Sequence, residues 1–116
     1  MDNNGEATMS LSLPNPVKIY FDISNGSNRS ELERCFAPDA VVVDEGQTYH
    51  GHDAIRNWQH EAQSKFDYTV EPVAVAQEGN QLSVTANVVG NFPGSPARLD
   101  HVFELDGDCI GSLKIG

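Results

Sequence analysis

The sequence predicts an α+β domain, with helices first and a bent antiparallel sheet after them that encloses a pocket. Two patterns predict it. Up to Phe66 the apolar residues recur at helical spacing, most clearly Ile55, Trp58, Ala62 and Phe66 at intervals of three, four and four. Beyond Phe66 they alternate, as in Leu82, Val84, Ala86 and Val88 against Ser83, Thr85 and Asn87. A third observation joins the two halves. In Phe36-Ala37-Pro38-Asp39-Ala40-Val41-Val42-Val43-Asp44-Glu45-Gly46 a proline stops a helix, and an apolar strand run then ends on a carboxylate.

The elements follow in order. Residues 1–12 read as a loose tail and residues 13–116 as one domain. Asn15-Pro16 starts a helix, with proline in the first turn, and Asn25-Gly26 ends it. Val17, Tyr20 and Phe21 form its apolar stripe. Ser30-Glu31-Leu32-Glu33 fits a capping box for a short second helix whose Leu32, Cys35 and Phe36 face the core. A strand over residues 40–44 turns at Glu45-Gly46 into a short return, Gln47-Thr48-Tyr49-His50. Gly51-His52-Asp53 opens the third helix, where Glu61 and Lys65 pair outside at i,i+4. Four antiparallel strands complete the chain, with Pro72 and Gly111 as the expected bending points. The loop over residues 90–96 borders the presumed pocket mouth.

The chain has 116 residues, enough for one core, and a formal charge of −10. Seventeen acidic against seven basic residues argue against nucleic acid and against anionic membrane surfaces as partners. No basic start precedes an apolar segment, and no apolar run approaches the ~20 residues of a membrane span. Cys35 and Cys109 read as two buried thiols of a cytoplasmic protein, not as a disulfide. No metal site is expected, since the sequence lacks CxxC and HExxH spacings.

Asp44 has two readings. A carboxylate before Glu-Gly often bonds its own turn backbone. At the end of an apolar strand it is also placed to be a general base, since desolvation raises its affinity for a proton.

The motif from Phe36 to Gly46, followed by Gly51-His52-Asp53-Ala54-Ile55-Arg56-Asn57-Trp58, resembles the SnoaL-like polyketide cyclase and ketosteroid isomerase group of the nuclear transport factor 2-like fold. That resemblance implies a cone-shaped sheet around a pocket covered by three helices. It implies a small-molecule isomerase or cyclase that moves a proton next to a carbonyl, without metal or organic cofactor. Its ligand would be a small apolar carbonyl compound. Asp44 would be the base, and Tyr20 with Asp100 would hydrogen-bond the enolate oxygen. Trp58, His101, Phe21, Phe36 and Val84 would line the pocket. The alternation of Leu99 and Phe103 points the other way for one residue, turning His101 inward and Asp100 outward. An inward His101 implies an Asp44–His101 acid–base site instead. The fold also carries ligand-binding modules and dimeric assembly domains. A homodimer through the outer sheet face is expected, from the apolar character of residues 70–76 and 99–105.

Overall fold

The computed structural model describes residues 12–27 and 29–116. The expected N-terminal tail, except Ser12, lies outside them. The first helix, α1 (Asn15–Ser24), buries Val17, Tyr20, Phe21 and Ile23 on the face the sequence marks. Pro16 sits in its first turn, where no intrahelical N–H is needed. Asn25 follows and clamps the sheet. Its Nδ2 donates to the Val70 carbonyl at 2.9 Å, and its Oδ1 accepts from the Val70 N–H at 2.7 Å. A side-chain amide thus replaces a missing strand neighbour.

The second helical segment is a 3₁₀ turn (Arg29–Glu31) running into α2 (Leu32–Cys35). The expected capping box does not form, because Ser30 lies inside the 3₁₀ turn and no side chain caps α2. Phe36 is already the first residue of β1 (Phe36–Asp44), four residues earlier than the apolar run predicts. Exposed Pro38 and Asp39 fall in an irregularity between the paired residues Phe36 and Val41. Such a bulge tolerates a residue without an N–H.

Glu45 (φ 52°) and Gly46 (φ 76°) make the two-residue turn to β2 (Gln47–His50). Positive φ at both positions matches the twist of a tight hairpin. Helix α3 (His52–Lys65) then buries Ile55, Trp58 and Gln59. The long strands β3 (Tyr68–Glu78), β4 (Gln81–Gly90), β5 (Ala97–Asp106) and β6 (Cys109–Ile115) form an antiparallel meander. The pairing slips beside Pro72, and again where Glu104 pairs Ser112 but Leu105 pairs Ile110, so that Gly111 is the extra residue. Both are the bending points that the sequence offers.

The six strands lie in the order β2-β1-β6-β5-β4-β3. One joint departs from the antiparallel expectation: β1 runs parallel to β6, from Val41↔Ser112 to Asp44↔Ile115. The reason is that β2 covers only one edge of β1, and the free edge of the meander's last strand covers the other. Helices pack inside the curve against a core that includes Phe36, Phe103, Ile55, Leu82 and Ile110.

The outer face is largely polar. Thr85 Oγ1 donates to Asp100 Oδ1 at 3.1 Å, and Arg98 Nε donates to Asn87 Oδ1 at 3.2 Å. Leu99 and Phe103 point inward, so they add nothing to an outer-face interface; Val73 and Val89 are the exposed large hydrophobics among the described residues. Both cysteines are free thiols. Among the described residues, no helix is long and apolar enough to cross a membrane.

Gly90 closes the start of β3 against the end of β4. A Cβ there would collide with the Asp67 carbonyl oxygen and lie 2.6 Å from Tyr68 Cβ. The Asn91 N–H holds the Asp67 carbonyl and strand pairing holds Tyr68, so Gly90→Ala should cost about 1–3 kcal/mol, the usual range for overpacking. A urea midpoint unchanged from wild type would contradict this.

Candidate active site

One row of paired residues crosses the inner face of the sheet. Asp44 on β1 pairs with Ile115 on β6, Ile115 with His101 on β5, and His101 with Val84 on β4. Paired residues share a face, so all four point into the curve. Strands are ~4.8 Å apart, which puts the backbones of Asp44 and His101 roughly 10 Å apart with Ile115 between them. Asp100 belongs to the neighbouring row with Thr85 and points out.

Asp44, Ile115 and His101 open onto a cavity of about 410 Å³ that Tyr20, Trp58, Tyr49 and Tyr68 also line. Trp58 sits one helical step from Gln59 on the buried side of α3. Its indole Nε1 donates to Asp44 Oδ2 at 3.0 Å. Tyr49 packs against that indole, ring centres 5.9 Å apart and planes tilted by 33°. Burial raises the Asp44 carboxyl above the ordinary carboxylate range, and the charge of Glu45 adds to this. The Trp58 and Glu45 N–H groups pull it partly back. Asp44 thus stands at the start of a turn and also presents its carboxyl to the cavity.

Tyr20 reaches the cavity from α1. Burial is the main cause of its raised pKa, with Tyr68, Asp44 and Cys35 adding and the Ser24 hydroxyl opposing. The phenol therefore keeps its proton at neutral pH and stays a donor. Burial also raises Tyr68, helped by the charge of Asp44. His101 is 3% exposed and packs among Phe21, Tyr20 and Phe103, with ring centres 5.4, 6.0 and 6.3 Å away. Burial pushes its imidazole down to about 4, although the Leu99 backbone and the Asp100 charge favour the cation. At neutral pH it is uncharged. Its buried Nδ1 has no hydrogen bond of sound geometry among the described residues.

Four of the residues that the sequence nominates thus meet at one cavity: Tyr20, Asp44, Trp58 and His101. Asp100 does not. The resemblance expects it inside, but strand alternation puts its carboxylate in solvent on the other face. Phe21, Phe36 and Val84 are also corrections. They are buried beneath the cavity in the core and do not form its wall. Tyr49, Tyr68 and Phe92 are wall residues that sequence reasoning did not single out. Tyr49 alternates with exposed Thr48 and His50, which is the available signal; Phe92 lies in the loop that the sequence sets at the mouth. Glu61 and Lys65 line the cavity too, and no ion pair joins them as the i,i+4 spacing suggests. A wider groove of about 600 Å³ lies between the start of α1 and the β5–β6 turn, lined by Pro14, Ile19, Glu31, Arg34 and Asp108. It gathers none of the residues with shifted pKa values. Among the described residues no group of three His, Cys, Asp or Glu side chains is arranged to hold a metal ion.

Solved structures share this architecture. A candidate polyketide cyclase from Sinorhizobium meliloti is 38% identical, with a TM-score of 0.86 over 90% of this chain and 95% of that one. A hypothetical protein with a ketosteroid isomerase-like fold from Catenulispora acidiphila, solved with trimethylamine, is 21% identical (TM-score 0.78, covering 90% and 86%). A candidate isomerase of the SnoaL-like family from Agrobacterium tumefaciens is 17% identical (TM-score 0.73, covering 86% and 92%). No curated protein sequence matches. The model of the SnoaL-like domain matches residues 17–110. The chain therefore belongs to the SnoaL-like domain family, on the nuclear transport factor 2-like fold.

Proposed function

We propose that this cavity is the active site of a small-molecule isomerase or cyclase that moves a proton next to a carbonyl. One observation carries the reading: Asp44, its carboxyl raised by burial and oriented by the Trp58 indole, faces the same cavity as the protonated phenol of Tyr20. A carboxylate with raised proton affinity is a better base near neutral pH. In the proposed step Asp44 takes the proton from the carbon beside the carbonyl. The C–H pair becomes the enolate double bond, and the carbonyl π pair moves to oxygen, which Tyr20 meets with its O–H. Returning the proton to another carbon isomerises the substrate, while attack of the enolate carbon on a second carbonyl closes a ring, moving that carbonyl's π pair to its oxygen, which takes the proton back from Asp44. Asp100 has no part in this, being on the outer face. A substrate lying over Ile115 spans the distance from Asp44 to His101, whose neutral imidazole is available as a second hydrogen-bonding group.

The test is turnover of a panel of β,γ-unsaturated ketones, with deuterium uptake from D₂O at the carbon next to the carbonyl read by NMR. Wild-type protein should accelerate uptake, and Tyr20→Phe should reduce the rate by about 100- to 1,000-fold, as loss of an oxyanion donor does. Binding without any uptake would favour a ligand-binding module of the same fold.

A further inference from the structure

The charged side chains that line the cavity are mostly carboxylates. Among the described residues Asp44, Glu45 and Glu61 line it against a single ammonium, that of Lys65, and the neutral His101 adds no positive charge. The chain as a whole carries −10, so the surrounding field has the same sign. Trp58 has already given its N–H to Asp44, which leaves the face of the indole as what it offers a ligand. Tyr49 beside it, Tyr68, and the edge-to-face pair of Phe66 and Phe92 (6.1 Å) line the same cavity, with Asp44 half-buried and Glu45 and Glu61 exposed. Aromatic faces attract cations through the ring quadrupole, most strongly for Trp and where water is excluded.

We propose that the ligand carries a positively charged nitrogen close to its carbonyl, a tertiary or quaternary ammonium ketone, with the nitrogen against the Tyr49–Trp58 pair and Asp44 and Glu61 as its counter-charges. The proposal rests on the reading of the cavity as a proton-transfer site and narrows its substrate class. The chemistry agrees. An ammonium group one carbon from a carbonyl acidifies the C–H between them, because the enolate formed is next to a positive charge. Asp44 takes that proton and becomes a neutral acid, and the enolate with its ammonium is neutral overall.

The test compares trimethylammonioacetone with its uncharged carbon isostere, methyl neopentyl ketone, by calorimetric or NMR titration. The two have the same shape and differ in one charge. The cation should bind at least about tenfold more tightly. Tyr49→Leu and Glu61→Gln should each reduce that preference, the cation losing more affinity than the isostere. Trp58→Leu should do the same if it folds, but the other two variants decide the matter without it. Equal binding of the two ketones, tighter binding of the neutral one, or no binding of either at ~10 mM would overturn the proposal. Deuterium uptake, followed in the same samples, separates the two readings. Uptake without a charge preference sinks only the ligand class; a charge preference without uptake sinks only the proton transfer.

Discussion

Asp44→Asn is expected to lower the rate of proton transfer by roughly 100- to 10,000-fold, the usual cost of a lost general base. Asparagine has the same shape, and its amide oxygen accepts the Trp58 indole N–H as the carboxylate does. The cavity should keep its form, and a neutral ketone should still bind. Stability moves the other way. Burial raises the folded-state pKa of Asp44, so the fold holds the ionised carboxylate less well than water does. Near pH 7 that is a destabilising contribution, which asparagine removes. The variant should therefore lose activity with an equal or higher urea midpoint. A fully active Asp44→Asn protein would remove Asp44 from the chemistry; an inactive but destabilised one would mean that its role is in the fold.

The second large effect is acid sensitivity through His101. Its folded pKa, about 4, lies below its ordinary 6.5. Between those values the unfolded chain takes up a proton that the folded protein refuses. Stability is then full above about pH 6.5 and falls as the pH drops towards 4, by about 3 kcal/mol for a shift of this size. Asp44 acts with the opposite sign, since its raised pKa makes the fold gain relative stability as the carboxylate is protonated. His101→Phe keeps an aromatic ring among Phe21, Tyr20 and Phe103 and removes the titration. Urea midpoints between about pH 7 and pH 4 should fall steeply for wild type, less for His101→Phe, and more for Asp44→Asn. A His101→Phe profile parallel to wild type would contradict the account.

These two side chains also show what the sequence could reveal. Period and punctuation are local, so the stripe on α3, the alternation of β4, the Glu45-Gly46 turn and the bends at Pro72 and Gly111 were all legible. Pairing is not local. Nothing near residue 41 states that its neighbour is residue 112, so the parallel joint of β1 with β6 stayed hidden. Phe36 satisfies both the end of a helix and the start of a strand, because either puts it in the core; only long-range pairing decides. For Asp100 and His101 the alternation around Leu99 and Phe103 was the better guide than the resemblance, because a strand has just two faces and a packed interior fixes which is which. Phe21, Phe36 and Val84 mark the limit from the other side. An apolar residue beneath a cavity and one in its wall have the same pattern in sequence. Asn25 left no trace beyond a helix-ending residue, since its partner Val70 lies far along the chain.

The parallel joint has a consequence for how the chain is made. Strand β1, with its run of three valines, emerges early, and β2 satisfies only one of its edges. The other edge has no partner until β6 has been synthesised and the meander has folded back to reach it. Through that interval an apolar strand edge is open to neighbouring chains, the condition that favours intermolecular pairing. The exposed Pro38 and Asp39 interrupt that edge near its beginning, one lacking the N–H and the other bringing a charge. They shorten the length of strand that a foreign chain could extend during the wait.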